Sequence, residues 1–149
     1  MERTQSLFHH ILVPSDGSKS SLSAGRLAIQ LAKLHHAQVT FVYVVDSKAA
    51  EKLSITLGKT VGLTQKTMAN TGQQYLTYLS RLATDVNLIT NSTIRYGIPS
   101  IEIEKLASEK SVDLIVIGQI SHSGSRHILI GSVAQRVIEN APCPVLVVK

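Results

Sequence analysis

This sequence has a single cysteine and lacks the residue spacings that are typical of metal sites. Its 149 residues include one cysteine, Cys143, so no internal disulfide can form, and none of the six histidines is paired with a carboxylate or cysteine at the spacing of a metal site. A chain of this length buries about two-thirds of its unfolded surface, so it needs neither a disulfide nor a bound metal to fold. The first eight residues contain no apolar run long enough for a secretory signal. Together with the lone cysteine, they predict a protein of the reducing cytoplasm.

Long apolar runs, tryptophan and clusters of positive charge are also missing, which argues against two kinds of partner. Apolar runs such as residues 114–117 and 145–148 are far too short to span a bilayer. The net charge is +5, but lysines and arginines are spread along the chain, whereas nucleic-acid sites concentrate them on one face. With two phenylalanines and four tyrosines, platforms for base stacking are scarce. The sequence therefore predicts neither a membrane nor a nucleic-acid partner.

What the sequence does contain is a regular alternation of strand-like and helix-like segments. Short apolar or β-branched runs predict strands, and apolar residues at intervals of three and four predict the helices between them. Residues 46–65 are the least patterned and are predicted to form one long loop inside the second crossover. The predicted strands cover residues 10–14, 38–45, 87–96, 114–117 and 144–148, and the helical apolar residues lie within 24–32, 68–83, 103–107 and 133–138.

This alternation predicts the fold class. Strands that alternate with helices imply a parallel sheet, and continuous apolar strands imply that both of its faces are covered. We therefore expect an α/β fold in which one domain, residues 1–149, carries an open parallel five-stranded sheet with helices on both faces. Ligands of such sheets bind beyond the carboxyl ends of the strands. Two strand ends carry suggestive residues: the turn at 14–18 and the loop that starts at Gly118.

The segment from Gly118 to Ser132 leaves a buried strand and ends where a helix is predicted to begin. A helix N-terminus presents unpaired N–H groups and a partial positive charge, which suits a phosphate. Gly131 would let the backbone approach the anion closely, and Ser132 would add a hydroxyl. The alternative is structural, with Ser132 only capping the helix and the glycines only forming turns. Spacing alone does not decide between these interpretations.

Asp16 lies at the other strand end. A carboxylate there would repel phosphates, so it is better suited to accept a hydrogen bond from a ribose hydroxyl or to hold Mg²⁺. Alternatively, Asp16 only forms an Asx turn before the first helix. The convergence of two strand ends on one crevice favours the functional interpretation.

The motifs at the two ends of the chain resemble those of the universal stress protein family. They are ILVPSDGS at residues 11–18 and APCPVLVV at residues 141–148, and the resemblance extends over the chain between them. It implies the strand order 3-2-1-4-5 of folds that are adenine nucleotide alpha hydrolase-like. It also implies ATP, with or without Mg²⁺, as the ligand.

The resemblance further implies a set of site residues. Pro14, Ser15 and Asp16 would border the ribose and the adenine, and the backbone of Val44 would face the adenine edge. The phosphates would be lined by residues of the glycine motif and its continuation: Gly118, Gly131, Ser132 and Val133.

This chain departs from the family's glycine motif at one position. Nucleotide-binding members carry Gly-x2-Gly-x9-Gly-(Ser/Thr) after the fourth strand, and here the spacing is kept while Ser121 replaces the second glycine. Members without the glycine motif do not hold ATP. If this position requires a positive φ, serine costs about 1 kcal/mol or more. Gly124, three residues further on, could let the loop adjust, and both residues are included in the predicted site.

The C-terminal strand, residues 144–148, is short and apolar and is expected at a sheet edge. An exposed edge of this kind invites pairing with another chain. The family resemblance implies a homodimer formed through this strand. The alternative is that its short length and Lys149 suffice to protect the edge.

These expectations combine into three hypotheses. The first is a cytoplasmic regulatory protein of the stress response that binds ATP, or another adenine nucleotide, at the carboxyl ends of the first and fourth strands. The second is a dimeric interaction module of the same fold that does not bind nucleotide. The third is a slow ATPase, for which only Asp16 is placed to act as general base.

Overall fold

Strands and helices alternate along the chain in the computed structural model, which describes residues 5–119 and 130–149. The elements are β1 (His10–Pro14), α1 (Lys19–His35), β2 (Gln38–Asp46), α2 (Ser47–Leu57), α3 (Val61–Thr84), β3 (Thr90–Gly97), α4 (Pro99–Glu109), β4 (Leu114–Gly118), α5 (Ser132–Asn140) and β5 (Val145–Val148). All strand pairs are parallel, in the order β3-β2-β1-β4-β5. The predicted α/β class and strand order are therefore confirmed.

Two apolar clusters cover the two faces of the sheet. Because side chains alternate along a strand, Ile11 and Val13 of β1 pack with α1 and α3, while Leu12 packs with α4 and α5. All three side chains are fully buried, as expected for a central strand covered on both faces. None of the helices in the described ranges has the length and apolar character needed to span a bilayer.

The long loop predicted for residues 46–65 is wrong, because this segment forms α2 and the start of α3. Asp46 caps α2: its Oδ1 accepts hydrogen bonds from the N–H groups of Lys48 (3.0 Å) and Ala49 (3.2 Å). Gly58 ends the helix with a left-handed φ of 62°. Only Ala50 and Ser54 are buried, so α2 lacks the apolar stripe by which a helix is usually predicted.

The third strand is shorter at its start than predicted. Asn87 has a φ of 63°, which is incompatible with a strand, and β3 begins at Thr90. The strand lies at one edge of the sheet, as its polar and alternating sequence predicts. Ser18 caps α1, because its Oγ accepts from the N–H of Ser21 (3.2 Å).

His10 is a buried polar side chain at the start of β1. Its Nδ1 donates to the carbonyl of Lys110 (3.1 Å), so its Nε2 is the acceptor for the Thr40 hydroxyl (2.7 Å). Burial lowers the pKa of His10, although the hydrogen bond to Lys110 and the charge of Asp113 oppose this shift. The folded protein therefore favours the neutral imidazole.

We expect the free energy of unfolding to fall in acid partly because of His10. As the pH drops below 6.5, the unfolded chain gains a proton at this residue before the folded chain does. The stability contributed by neutral His10 is thus complete above that pH and is lost as the pH falls toward the lower folded pKa. Urea denaturation at about pH 7.5 and about pH 5.5 should show a larger loss for the wild type than for His10→Gln. Since the other five histidines are common to both proteins, equal losses would contradict this account.

Candidate functional site

The candidate site opens where β1 ends before its neighbours. Even-numbered residues of β2 turn their main-chain groups toward β1, as in the hydrogen bond from Gln38 N–H to His9 C=O (3.0 Å). The last bond of this ladder runs from Ser15 N–H to Val42 C=O (2.8 Å). The next would join Val44 N–H to Ser15 C=O, and it is not formed in the described part of the chain. The donor and acceptor of Val44 therefore face the gap beyond β1.

A cavity of about 370 Å³ occupies this gap. It brings together the two strand ends that the sequence singled out. Ser121 and Gly124, which were predicted with them, lie outside the described residues. The other eight predicted site residues all line the cavity: Pro14, Ser15, Asp16, Val44, Gly118, Gly131, Ser132 and Val133.

Sequence reasoning missed the wall of the cavity that the second crossover builds. Asp46 ends β2 and caps α2, Ala49 lies in the first turn of α2, and Met68 comes from α3. A segment predicted as a loop could not be placed against the site. The available signal was Asp46 itself, a good N-cap residue immediately before the segment. The further lining residues missed are Ser18, Ser21, Val42, Tyr43, Pro99, Ile103, Ile117, Gln119 and Ala134.

At the N-terminus of α1, side chains of the Asp16 turn accept hydrogen bonds from main-chain N–H groups. Asp16 Oδ1 accepts from the N–H of Ser18 (2.9 Å), so the Asx turn that the sequence offered as an alternative is present. Ser18 in turn caps α1. Since Asp16 also lines the cavity, forming the turn does not remove its carboxylate from the site.

The N-terminus of α5 has no side-chain cap. Gly131, not Ser132, is the N-cap, and it provides no side-chain hydrogen bond. Its own N–H donates to Gln119 C=O (2.7 Å), which ties the two ends of the intervening segment together. The next amides, those of Ser132, Val133 and Ala134, lie in the first helical turn, where no intrahelical acceptor is available. They border the cavity and give it a partial positive charge.

Ser15 adds a polar group without a partner. The residue is 4% exposed, and its hydroxyl makes no hydrogen bond to any described residue. A buried hydroxyl in this state is costly, and native proteins usually satisfy such groups. Because Ser15 lines the cavity, a bound molecule can provide the missing partner.

The side-chain charges at the cavity are negative. Among the described lining residues, Asp16 and Asp46 are the charged ones, and no lysine, arginine or histidine joins them. In the described ranges, no three histidine, cysteine, aspartate or glutamate side chains are grouped as metal ligands would be. Burial raises the pKa of Tyr43, and Tyr75 and the two carboxylates add to this effect, so the phenol stays neutral. Among the described lining residues, attraction for an anion therefore comes from main-chain amides at helix starts, such as those of α5.

Comparison with known proteins shows which family the chain belongs to. Residues 7–149 match the sequence model of the universal stress protein family. The chain belongs to this family. It is 37% identical over 145 residues to Universal stress protein MJ0531 of Methanocaldococcus jannaschii, covering 97% of this chain and 84% of the relative.

Solved structures of similar proteins support the same assignment. The structure of hypothetical protein MJ0577 matches with a TM-score of 0.84 and 26% identity, covering 96% of each chain. A universal stress protein solved in complex with cAMP matches with a TM-score of 0.70 and 26% identity, over 97% of this chain and 99% of that one. The family and the fold predicted from the sequence are therefore confirmed.

Gly118 has a steric role in this universal stress protein apart from any ligand. A Cβ at this position would lie 2.6 Å from Ser20 Oγ and 2.7 Å from the main-chain nitrogen of Ser21. The end of β4 thus packs directly on the first turn of α1. Glycine is needed at this close approach.

Replacing Gly118 with alanine is expected to lower the free energy of unfolding by about 1–3 kcal/mol, because the added methyl group overpacks this contact. Gly62→Ala is the matched control, since its Cβ would meet nothing within 4 Å. As Gly62 lies in α3, that change should be neutral or stabilising by up to about 1 kcal/mol. Urea denaturation measures both, and equal stabilities would contradict the steric role of Gly118.

Proposed function

We propose that this universal stress protein binds an adenine nucleotide, with ATP as the expected ligand, beyond the carboxyl ends of β1 and β4. In this proposal it acts in the cytoplasm as a regulatory protein of the stress response. The observation that carries the proposal is one cavity lined by two kinds of main-chain group, those of Val44 and those at the start of α5, which have no partner among the residues that the structure describes. The cAMP complex of a related universal stress protein supports the ligand class.

The Val44 side of the cavity suits a nucleobase. Its N–H and C=O offer a donor and an acceptor on the same side of β2, and the adenine edge offers an acceptor at N1 beside a donor at N6. Met68 and Ile103 line the cavity as well and provide apolar surface for the faces of the ring. In this arrangement the main chain reads the edge of the base and the side chains pack on its faces.

The α5 side of the cavity suits phosphate. An N-terminus without a side-chain cap offers amide donors and a favourable dipole to an anion. Ser132 would add its hydroxyl, while Asp16, Ser15 and Pro14 would border the ribose between the two ends. The carboxylates of Asp16 and Asp46 would repel phosphate, and a bound Mg²⁺ would offset that repulsion.

Calorimetric titration with ATP, AMP, cAMP and GTP, each with and without Mg²⁺, tests this proposal. We expect binding of adenine nucleotides and at least about tenfold weaker binding of GTP. Gly131→Asp should abolish ATP binding, because the new carboxylate would cap α5 and occupy the anion position. Gly131→Asn, with the same shape and no charge, should be less damaging. Because both residues are good N-caps, neither change should unfold the protein.

The titration, a turnover assay and mass spectrometry together separate the alternative functions. No heat with the wild type at about 1 mM ATP, a concentration that detects even weak binding, would overturn nucleotide binding and leave the interaction module. Turnover of bound ATP well above that of Asp16→Ala would instead favour the slow ATPase. Mass spectrometry of any nucleotide that co-purifies would identify the preferred ligand independently.

We also propose a homodimer formed through β5. This strand lies at the sheet edge, where odd-numbered residues turn their main-chain groups away from β4. Val147→Pro removes one outward N–H without removing a hydrogen bond to β4, so it should produce monomers. Val147→Thr keeps that N–H and should remain dimeric. Light scattering after size exclusion measures both, and a monomeric wild type would overturn the proposal.

A further inference from the structure

Two tyrosine rings fill spaces that glycine leaves open beside the cavity. A Cβ at Gly17 would lie 2.1 Å from Cζ of Tyr75, and a Cβ at Gly72 would lie 2.2 Å from Cδ1 of Tyr43. The two ring centroids are 6.3 Å apart, with the ring planes tilted by 50°. Since Gly72 and Tyr75 belong to α3 and Tyr43 to β2, these contacts join α3, β2 and the turn after β1.

Gly17 follows Asp16 directly and determines where its carboxylate lies. Its φ of 80° is in the left-handed region that favours glycine, and it allows Asp16 Oδ1 to reach the N–H of Ser18 at 2.9 Å. The hydrogen bond fixes the shape of the turn from within. The ring of Tyr75 fixes its position from outside, because it occupies the space where a side chain at Gly17 would be.

We propose that Tyr75 is a positioning residue for the nucleotide. Its ring holds the turn of Asp16 and Gly17 at the edge of the cavity, although Tyr75 does not itself line the cavity. This inference rests on the proposed function, because it assigns Asp16 a contact with the ligand. With Tyr75 in this role, nucleotide affinity depends on α3, the long helix of the second crossover.

Atoms of the Tyr75 ring make the nearest contacts with Gly17. The ring atoms Cζ, Cε2 and Cε1 of Tyr75 are those nearest to the added Cβ, at 2.1, 2.3 and 2.6 Å. Phenylalanine keeps this surface, whereas leucine leaves part of the space empty and lets the turn move. Tyr78, three residues along α3, is exposed and bonds to Arg26, so it provides a control on the same helix.

Calorimetric titration with ATP and Mg²⁺ gives the first test. Tyr75→Leu should weaken binding by about tenfold, while Tyr75→Phe and Tyr78→Leu should stay within about twofold of the wild type. Equal affinities for Tyr75→Leu and the wild type would overturn the inference while leaving the proposed function intact.

A double-mutant cycle shows whether Tyr75 acts through Asp16. If it does, adding Tyr75→Leu to Asp16→Ala should cause little further loss of affinity, because the carboxylate to be positioned is already gone. A purely structural role would weaken binding by the same factor in both backgrounds, and that result would overturn the inference.

Hydrogen exchange of the Ser18 amide in the unliganded protein gives a test that does not depend on nucleotide. Its N–H donates to Asp16, so it should exchange faster in Tyr75→Leu and at the wild-type rate in Tyr75→Phe. A wild type that binds no ATP would overturn the proposed function and the ligand part of this inference together. An unchanged exchange rate would overturn the positioning role by itself.

Discussion

The hydrogen bond from Ser15 N–H to Val42 C=O is the last that β1 makes to β2, and the candidate site depends on the ladder ending there. One further bond, from Val44 N–H to Ser15 C=O, would begin to close this gap and would satisfy the N–H of Val44. Because β2 continues to Asp46, the sheet instead leaves a donor and an acceptor facing an open space. The turn of Asp16 to Ser18 then directs the chain into α1 at the rim of that space. The five-residue β1 thus ends well before the nine-residue β2 beside it, and this difference is the source of the cavity.

A parallel sheet places the N-termini of its crossover helices at one edge, and their caps decide which of them can attract an anion. The starts of α1 and α2 are occupied by the protein's own side chains, Ser18 and Asp46. The start of α5 has only Gly131, which leaves amides of the first turn without such a partner. These helices have dipoles of the same direction. They differ in whether their first N–H groups are available to a ligand, because their capping residues differ. The α5 side of the cavity is therefore partly positive, whereas Asp16 and Asp46 make other parts of its lining negative.

Elements with buried apolar residues on both faces could be predicted from the sequence, and others could not. The run at 114–117 predicts β4 directly, whereas α2 is stabilised mainly by its caps and buries only Ala50 and Ser54. Val44 was implied only by the family resemblance, whereas the other described site residues lie at strand ends and helix starts, which carry local signals. Tyr43 and Met68 carry no such signal, because their place at the cavity follows from how α3 packs on β2. The steric role of Gly118 likewise depends on α1, which is distant in sequence.

The hydrogen bond from Gly131 N–H to Gln119 C=O also has a consequence for changes in chain length. It joins the points where the chain leaves β4 and enters α5, so the amides at the start of α5 are held in place by the ends of the segment between them. The entropy of closing such a loop grows only with the logarithm of its length, at about 0.6 kcal/mol for each doubling. Changing the number of residues between Gln119 and Gly131 would therefore cost little free energy, while the amides at the start of α5 keep their place.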